Sequence, residues 1–306
     1  MSGQPSVRTI FPDDFTTTLR LRHTIIQAIR LFFDTRGYTE VETPLRVPCP
    51  CIDIYIDAFP AGASLFLSTS PEFHMKRLLR LNLERIYQIG HAFRAEEAGR
   101  HHSAEFTMLE WYRTGTDYRG IMEETEQLVR QLAETLGPRC TALSFPFARM
   151  TVAELYENHA GWNPAASWDE DRYFRDWAEK IEPALAGLGA FFLMDFPAPL
   201  AALAQIGRDD PLICERFELF INGLEIGNAY SELLDYDEHV RRFEHAHASR
   251  TAMGKQPYPA DIGFMEALRL GLPACGGIAV GIDRLIMALL GLDTIGQVQA
   301  FPAERL

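Results

Sequence analysis

Two pairs of strand-like runs place the tightest constraint on what this chain can fold into. Arg85 to Arg94 and Glu105 to Tyr112 are joined by a polar loop, and Arg216 to Asn222 with Gly223 to Glu232 reads as a long hairpin. Strands that return beside their predecessors pair antiparallel. Phe191 to Phe196 adds a buried strand and Tyr38 to Glu42 a short one, closed by Thr43-Pro44. Residues 64–80 read as a strand and then Ser70-Pro71-Glu72 opening a helix through Leu79. Leu21, Ile25, Ala28, Ile29 and Phe32 recur at helical spacing, with Gly37 as a stop, and Ile121, Thr125, Leu128, Val129 and Leu132 mark a second helix. Thr151 with Glu154 is a capping-box start, residues 160–190 read as a helical insert, and Asp237 to Arg250 as a charged helix. The first dozen residues read as a loose arm. The expected class is α+β: an antiparallel sheet flanked by helices, one domain over residues 1–306.

Composition narrows the function classes. Apolar residues are 47% of the chain, enough for a sizeable core, yet none of its apolar runs approaches the ~18 residues of a membrane helix. The start carries no basic region followed by an apolar one, so no secretory signal is expected. Cys49, Cys51, Cys140, Cys214 and Cys275 are odd in number and scattered, which fits a reducing cytoplasm better than a disulfide framework. The Cys49-Pro-Cys51 step lacks a second close pair and reads as two ordinary loop thiols. A net charge of -13 counts against a partner gripped through many phosphates.

Three segments carry chemistry. In FRAEEAGRHHSAEFTMLEWY, Phe93 to Tyr112, an arginine ends one strand, basic groups fill the loop, and acids lie on the next strand. Strand parity puts Phe106, Met108, Glu110 and Tyr112 on one face, able to stack a base and hold an amine. A sheet face with one buried acid tied to an arginine fits the same pattern. In GLEIGNAYSEL, Gly223 to Leu233, Glu225 and Glu232 fall on opposite faces of a regular strand unless a bend or bulge at Gly227-Asn228 intervenes. Two carboxylates and an amide then suit Mg²⁺, although solvated acids of a hairpin also fit. In GGIAVGIDRLIMALLG, Gly276 to Gly291, glycines permit close approach of a ligand to the backbone. Arg284 there needs a partner: a phosphate, an adenine face, or an acid such as Asp283.

Together with the helix ending in GYTEVETP, Gly37 to Pro44, these segments resemble motifs 1, 2 and 3 of the class II aminoacyl-tRNA synthetases. FRAEE…EFTMLEWY and EIGNAYSEL resemble the lysyl branch, and the wording PEFHMKRLL resembles its short paralogues that attach β-lysine to elongation factor P. The resemblance runs over roughly residues 20 to 302 and leaves no room for the branch's N-terminal OB-fold anticodon reader. It implies ATP as substrate, Mg²⁺ as cofactor, lysine or β-lysine as the amino acid, elongation factor P as acceptor rather than tRNA, and a homodimer built on the motif 1 helix.

The resemblance also assigns roles. Arg94 binds the α-phosphate, and Arg94 with Arg284 forms the catalytic pair. Glu96 and nearby backbone, including Ala95, hold the adenine amino group, while Phe106 and Arg284 sandwich the ring. Arg100 and the His101-His102 loop approach the outer phosphates. Ser103, Ile226 and Gly281 complete the nucleotide site, and Glu225 with Glu232 holds Mg²⁺. Ser70, Pro71, Glu72, Glu110, Tyr112, Asn228, Glu232 and Ala279 line the amino-acid pocket. Ala95 and Ser103-Ala104 depart from the Asn and Asn-Pro usual in the family, so one side-chain amide contact is missing. Rival expectations are a truncated lysyl enzyme activating α-lysine, an ammonia-using ligase of the same fold, and an idle regulatory paralogue; the retained Arg94, Arg284, Glu225 and Glu232 count against the last.

Overall fold

The computed structural model describes residues 15–302. The expected N-terminal arm lies outside them. Helix α1 (Phe15–Asp34) buries Ile25, Ala28, Ile29, Phe32 and Phe33. It ends before Gly37, whose φ of +73° suits a residue without a Cβ. Short strands β1 (Thr39–Glu40), β2 (Arg46–Val47) and β3 (Phe66–Leu67) precede α2 (Glu72–Leu78). The chain then forms β4 (Arg85–Phe93), β5 (Glu105–Thr114) and α3 (Tyr118–Leu136). Next come β6 (Ala148–Thr151), α4 (Val152–Ala160) with the expected Thr151–Glu154 capping box, α5 (Glu170–Asp176) and α6 (Glu182–Leu185). Strands β7 (Ala190–Pro197), β8 (Ile213–Ile221) and β9 (Leu224–Ser231) lead to α7 (Tyr236–Ala252) and α8 (Ile262–Arg269). Strand β10 (Cys275–Gly281) runs directly into α9 (Ile282–Leu290).

Eight strands form one sheet in the order β1-β4-β5-β10-β9-β8-β7-β6. Pairings from β4 through to β7 are antiparallel, as the hairpins predict. The two edge strands differ, since β1 and β6 pair parallel with β4 and β7. Each reaches its neighbour by a long crossover, through α2 and through α4 to α6, and parallel pairing requires such a connection.

The period of two divides the sheet by chemistry. Leu109, Trp111, Phe217, Leu219, Ala229, Ile278 and Val280 point into the main core, against α1, α3 and α9. The alternate residues of the same strands face the other way and line a cavity. A second core, around Tyr156, Tyr173, Phe191 and Phe220, packs the helical insert against the β7–β8 end of the sheet.

Candidate active site

The cavity has a volume of about 1090 Å³. Strands β5, β10 and β9 floor it. Gly277 pairs with both Tyr112 and Tyr230, while Gly281 pairs with Met108 and Val280 with Gly227. The Tyr112 and Glu232 ends of β5 and β9 therefore lie together, and so do the Phe106 and Glu225 ends. At ~3.3 Å per residue the two ends are roughly 20 Å apart.

One end is built from carboxylates. Glu110 is fully buried and accepts hydrogen bonds from Ser70 Oγ at 2.7 Å and from the Tyr112 hydroxyl at 2.7 Å. Burial and the nearby charge of Glu72 push its carboxyl up to about 7. Glu232 sits beside it, 2% exposed. Burial pushes this carboxyl up to about 8, and the adjacent Lys76 ammonium pulls against that rise. Glu72, in the first turn of α2, completes the group. Ala279 stands between Glu110 on β5 and Asn228 on β9, midway along the floor.

The other end is built from arginines. The Arg94 guanidinium lies 5.3 Å from the Phe106 ring centre, 3.5 Å from Glu97, and leaves its buried Nε without a partner. Such a donor is suited to an anion. Arg284 Nη1 donates to the Glu225 carbonyl at 3.1 Å, its Nε donates to the His101 carbonyl at 3.2 Å, and its Nη2 meets His102 Nε2. Burial, and then the charge of Arg284, hold His102 below the usual histidine range. The ion pair of Arg284 with Asp283 is excluded, because Asp283 is engaged by Arg22 and by the Thr107 amide at 2.9 Å. Arg284 is thereby left to face the cavity.

Strand β9 carries the expected irregularity one residue early. Phe220 pairs with Glu225 and Leu219 with Gly227, so Ile226 is the extra residue. The bulge returns Glu225, Asn228 and Glu232 to the same face. It does not make Glu225 and Glu232 a metal pair. They belong to opposite ends of the cavity, and Glu232 is engaged by Lys76. Mg²⁺–oxygen bonds of ~2.1 Å cannot bridge that span. Glu225 shares its end of the cavity instead with Glu218 on β8, a residue to which the sequence pattern does not point. The charge of Glu225, after burial itself, pushes Glu218 up to about 7. Arg216 donates to Glu218 at 2.6 Å and to Asn228 Oδ1 at 3.2 Å, ordering this edge. Arg216 stands on Glu218 and Arg284 Nη1 lies 3.8 Å from Glu225 Oε2, and the two carboxylates still offer the oxygen donors that magnesium takes together with water and substrate phosphate.

Four expected site residues lie off the cavity. Pro71 is the N-cap of α2. The Ala95 amide donates to the Asp57 carbonyl at 2.6 Å, and Glu96 turns the chain with φ +68°. Arg100 points outward to Asp293, donating through Nε to its carbonyl at 3.0 Å. The remaining expected residues, from Ser70 to Arg284, line the cavity.

The chain matches curated proteins over nearly its whole length. It is 39% identical to the elongation factor P–(R)-beta-lysine ligase of Vibrio cholerae, covering 96% of this chain and 98% of that one. It is 41% identical to the protein so named in Vibrio vulnificus, over 93% and 95%, and 38% identical to that of Yersinia enterocolitica, over 93% and 94%. Residues 6–305 match the family described as tRNA synthetases class II (D, K and N). With motif strands, cavity and arginine pair in the same order along one sheet, the chain belongs to the class II tRNA synthetase family, in the branch of aspartate, lysine and asparagine.

Proposed function

We propose that the chain is an ATP-dependent, AMP-forming ligase that activates (R)-β-lysine, or a closely related diamino acid, and passes it to a lysine ε-amine of elongation factor P. The observation that carries this reading is one cavity with three carboxylates at one end and Arg94 with Arg284 at the other. Carboxylates recognise ammonium groups, and guanidinium groups recognise phosphate. The names of the curated relatives supply the acceptor.

In the first step the substrate carboxylate attacks the α-phosphorus of ATP in line and pyrophosphate leaves, giving the acyl-adenylate. Arg94 stabilises charge building on the α-phosphate, and Arg284 grips the nucleotide beside the Glu225 edge. Glu218 and Glu225 would hold Mg²⁺, which supplies neutralisation of the outer phosphates. Ser70, Glu110 and Tyr112 fix the amine-bearing end of the substrate, which leaves its carboxylate directed along the sheet towards Arg94. In the second step the acceptor amine attacks the acyl carbon and AMP leaves.

The five free thiols suit a reducing cytoplasm, and among the described residues no helix is long and apolar enough to cross a membrane. A homodimer remains part of the proposal on family grounds alone. The stripe Ile25, Ala28 and Phe32 on the motif 1 helix is buried within the subunit. The deciding assay is pyrophosphate–ATP exchange with no RNA present. Exchange dependent on β-lysine is expected, and no exchange with either lysine isomer would sink the reading.

A further inference from the structure

Lys76 is the one buried cation at the carboxylate end of the cavity among the described residues. It is 1% exposed, with Nζ 2.6 Å from Glu72 Oε1 and 2.5 Å from Glu232 Oε2. The Glu72 contact is a well-formed hydrogen bond, one helical turn apart on α2. The Glu232 contact is not, and Glu232 Oε2 stays short of a properly directed donor. Glu110 takes its two hydrogen bonds from Ser70 and Tyr112, and none from Lys76. The principal charged neighbours of Lys76, Glu110 and Glu232 are one another and Glu72.

With all three carboxyls ionised, the state an ammonium ligand requires, three carboxylates against one ammonium leave two negative charges in a place screened from water. A buried charge needs a partner, and a substrate with two ammonium groups provides two. We infer that Lys76 is a resident counter-cation and positioning residue: it trims the three-carboxylate pocket to a charge that matches a substrate carrying two ammonium groups. It also holds Glu72 and Glu232 on either side of itself, with their remaining oxygens free for the substrate. The inference rests on the proposed activation of a diamino acid and says what sets that selectivity.

The test is a double-mutant cycle read as KM in the exchange assay, with lysine isomers as diamino acids and 6-aminohexanoate as the monoamino probe. Glu232→Gln leaves Lys76 undercompensated, facing the incoming ammonium. KM for the diamino acid should rise on the order of 100-fold, with KM for ATP little changed. The second change, Lys76→Met, restores the two-charge pocket. In Lys76→Met/Glu232→Gln, KM for the diamino acid should fall back at least ~10-fold, and preference over 6-aminohexanoate should return. A lysine that only fills core space predicts the opposite, since losing both partners would be no better than losing one. If the double variant binds the diamino acid no better than Glu232→Gln, the inference is overturned. Thermal melts accompany each variant, and Glu72→Gln replaces Glu232→Gln in the cycle if the latter does not fold. Absence of exchange in the unaltered protein would count against the proposed activity instead, so the two failures are distinct.

Discussion

Gly277 makes the space that the Tyr112 ring occupies. A Cβ at residue 277 would lie 2.3 Å from Tyr112 Cε1 and 2.8 Å from Glu232 Oε1. The ring is buried and its hydroxyl donates to Glu110, so neither neighbour can withdraw freely.

Gly277→Ala should therefore displace Tyr112 and break its bond to Glu110. Overpacking of this kind costs about 1 to 3 kcal/mol. KM for the amino acid should rise while KM for ATP stays close to its original value, because Arg94 and Phe106 lie at the far end of β5. Equal rises in both would place the damage in the sheet as a whole.

Glu218 and Glu225 should govern the response to magnesium. Glu218→Gln and Glu225→Gln should each raise the Mg²⁺ concentration needed for half-maximal exchange, whereas Glu232→Gln should not. Arg94→Ala should lower kcat by about 10²- to 10³-fold, as expected for loss of a donor to developing charge. An unchanged magnesium requirement in Glu218→Gln would return the ion to other ligands.

The contrast between Glu218 and Glu232 shows how far the sequence is legible. Parity alone placed Phe106, Met108, Glu110 and Tyr112 on one face, because a strand alternates whatever surrounds it. Glu218 lies inside RFELFI, where an apolar strand draws attention to its core-facing side, and only the β8–β9 register brings it beside Glu225. Lys76 in PEFHMKRLL reads as an ordinary solvated lysine on a short helix. Its spacing of four from Glu72 was the available signal. The parallel edge strands depend on crossovers through helices, which no local pattern encodes. Arg100 failed for a related reason: the loop from Arg94 to Ala104 closes tightly on itself between Gly99 and His102 and turns that side chain towards Asp293.

The buried carboxylates set the pH dependence. Glu110 and Glu232 have carboxyls raised to about 7 and about 8 in the free protein, so both are largely protonated at pH 6. A carboxyl raised on folding stabilises the fold below its unfolded value near 4.5, and that contribution is lost as pH rises through the folded value. An ammonium ligand needs the ionised form. The rise in melting temperature produced by a diamino acid should thus be larger at pH 8 than at pH 6, and kcat/KM for exchange should climb over the same interval. A flat profile between pH 6 and 8 would remove these two groups from substrate binding.

Ala279 should bear on which lysine isomer is preferred. Its methyl group stands on the cavity floor between Glu110 and Asn228, close to where the amine-bearing carbon of the substrate would rest. Moving the amine one carbon along relieves a clash with that methyl. One methyl-sized contact changes discrimination by roughly 1 to 3 kcal/mol. Ala279→Gly should improve use of α-lysine relative to β-lysine by about 10-fold or more, measured as the ratio of kcat/KM values. An unchanged ratio would make Ala279 a filler of floor space and nothing else.

The acceptor should be a lysine of elongation factor P and not the 3′ end of a tRNA. The net charge is -13, which opposes a grip on polyphosphate, while an amine acceptor requires no such grip. An unprotonated amine attacks an acyl-adenylate readily, but the acceptor lysine must first lose its proton. Transfer should consequently accelerate as pH rises towards the lysine range, beyond the point where Glu110 and Glu232 have ionised and adenylate formation has levelled off. Purified elongation factor P and total bacterial tRNA are to be offered separately with ATP and β-lysine, and each weighed by mass spectrometry. A gain of one lysyl unit on the factor is expected, lost when its target lysine is replaced. Stable charging of tRNA with the factor left unmodified would overturn the assignment and restore the synthetase reading.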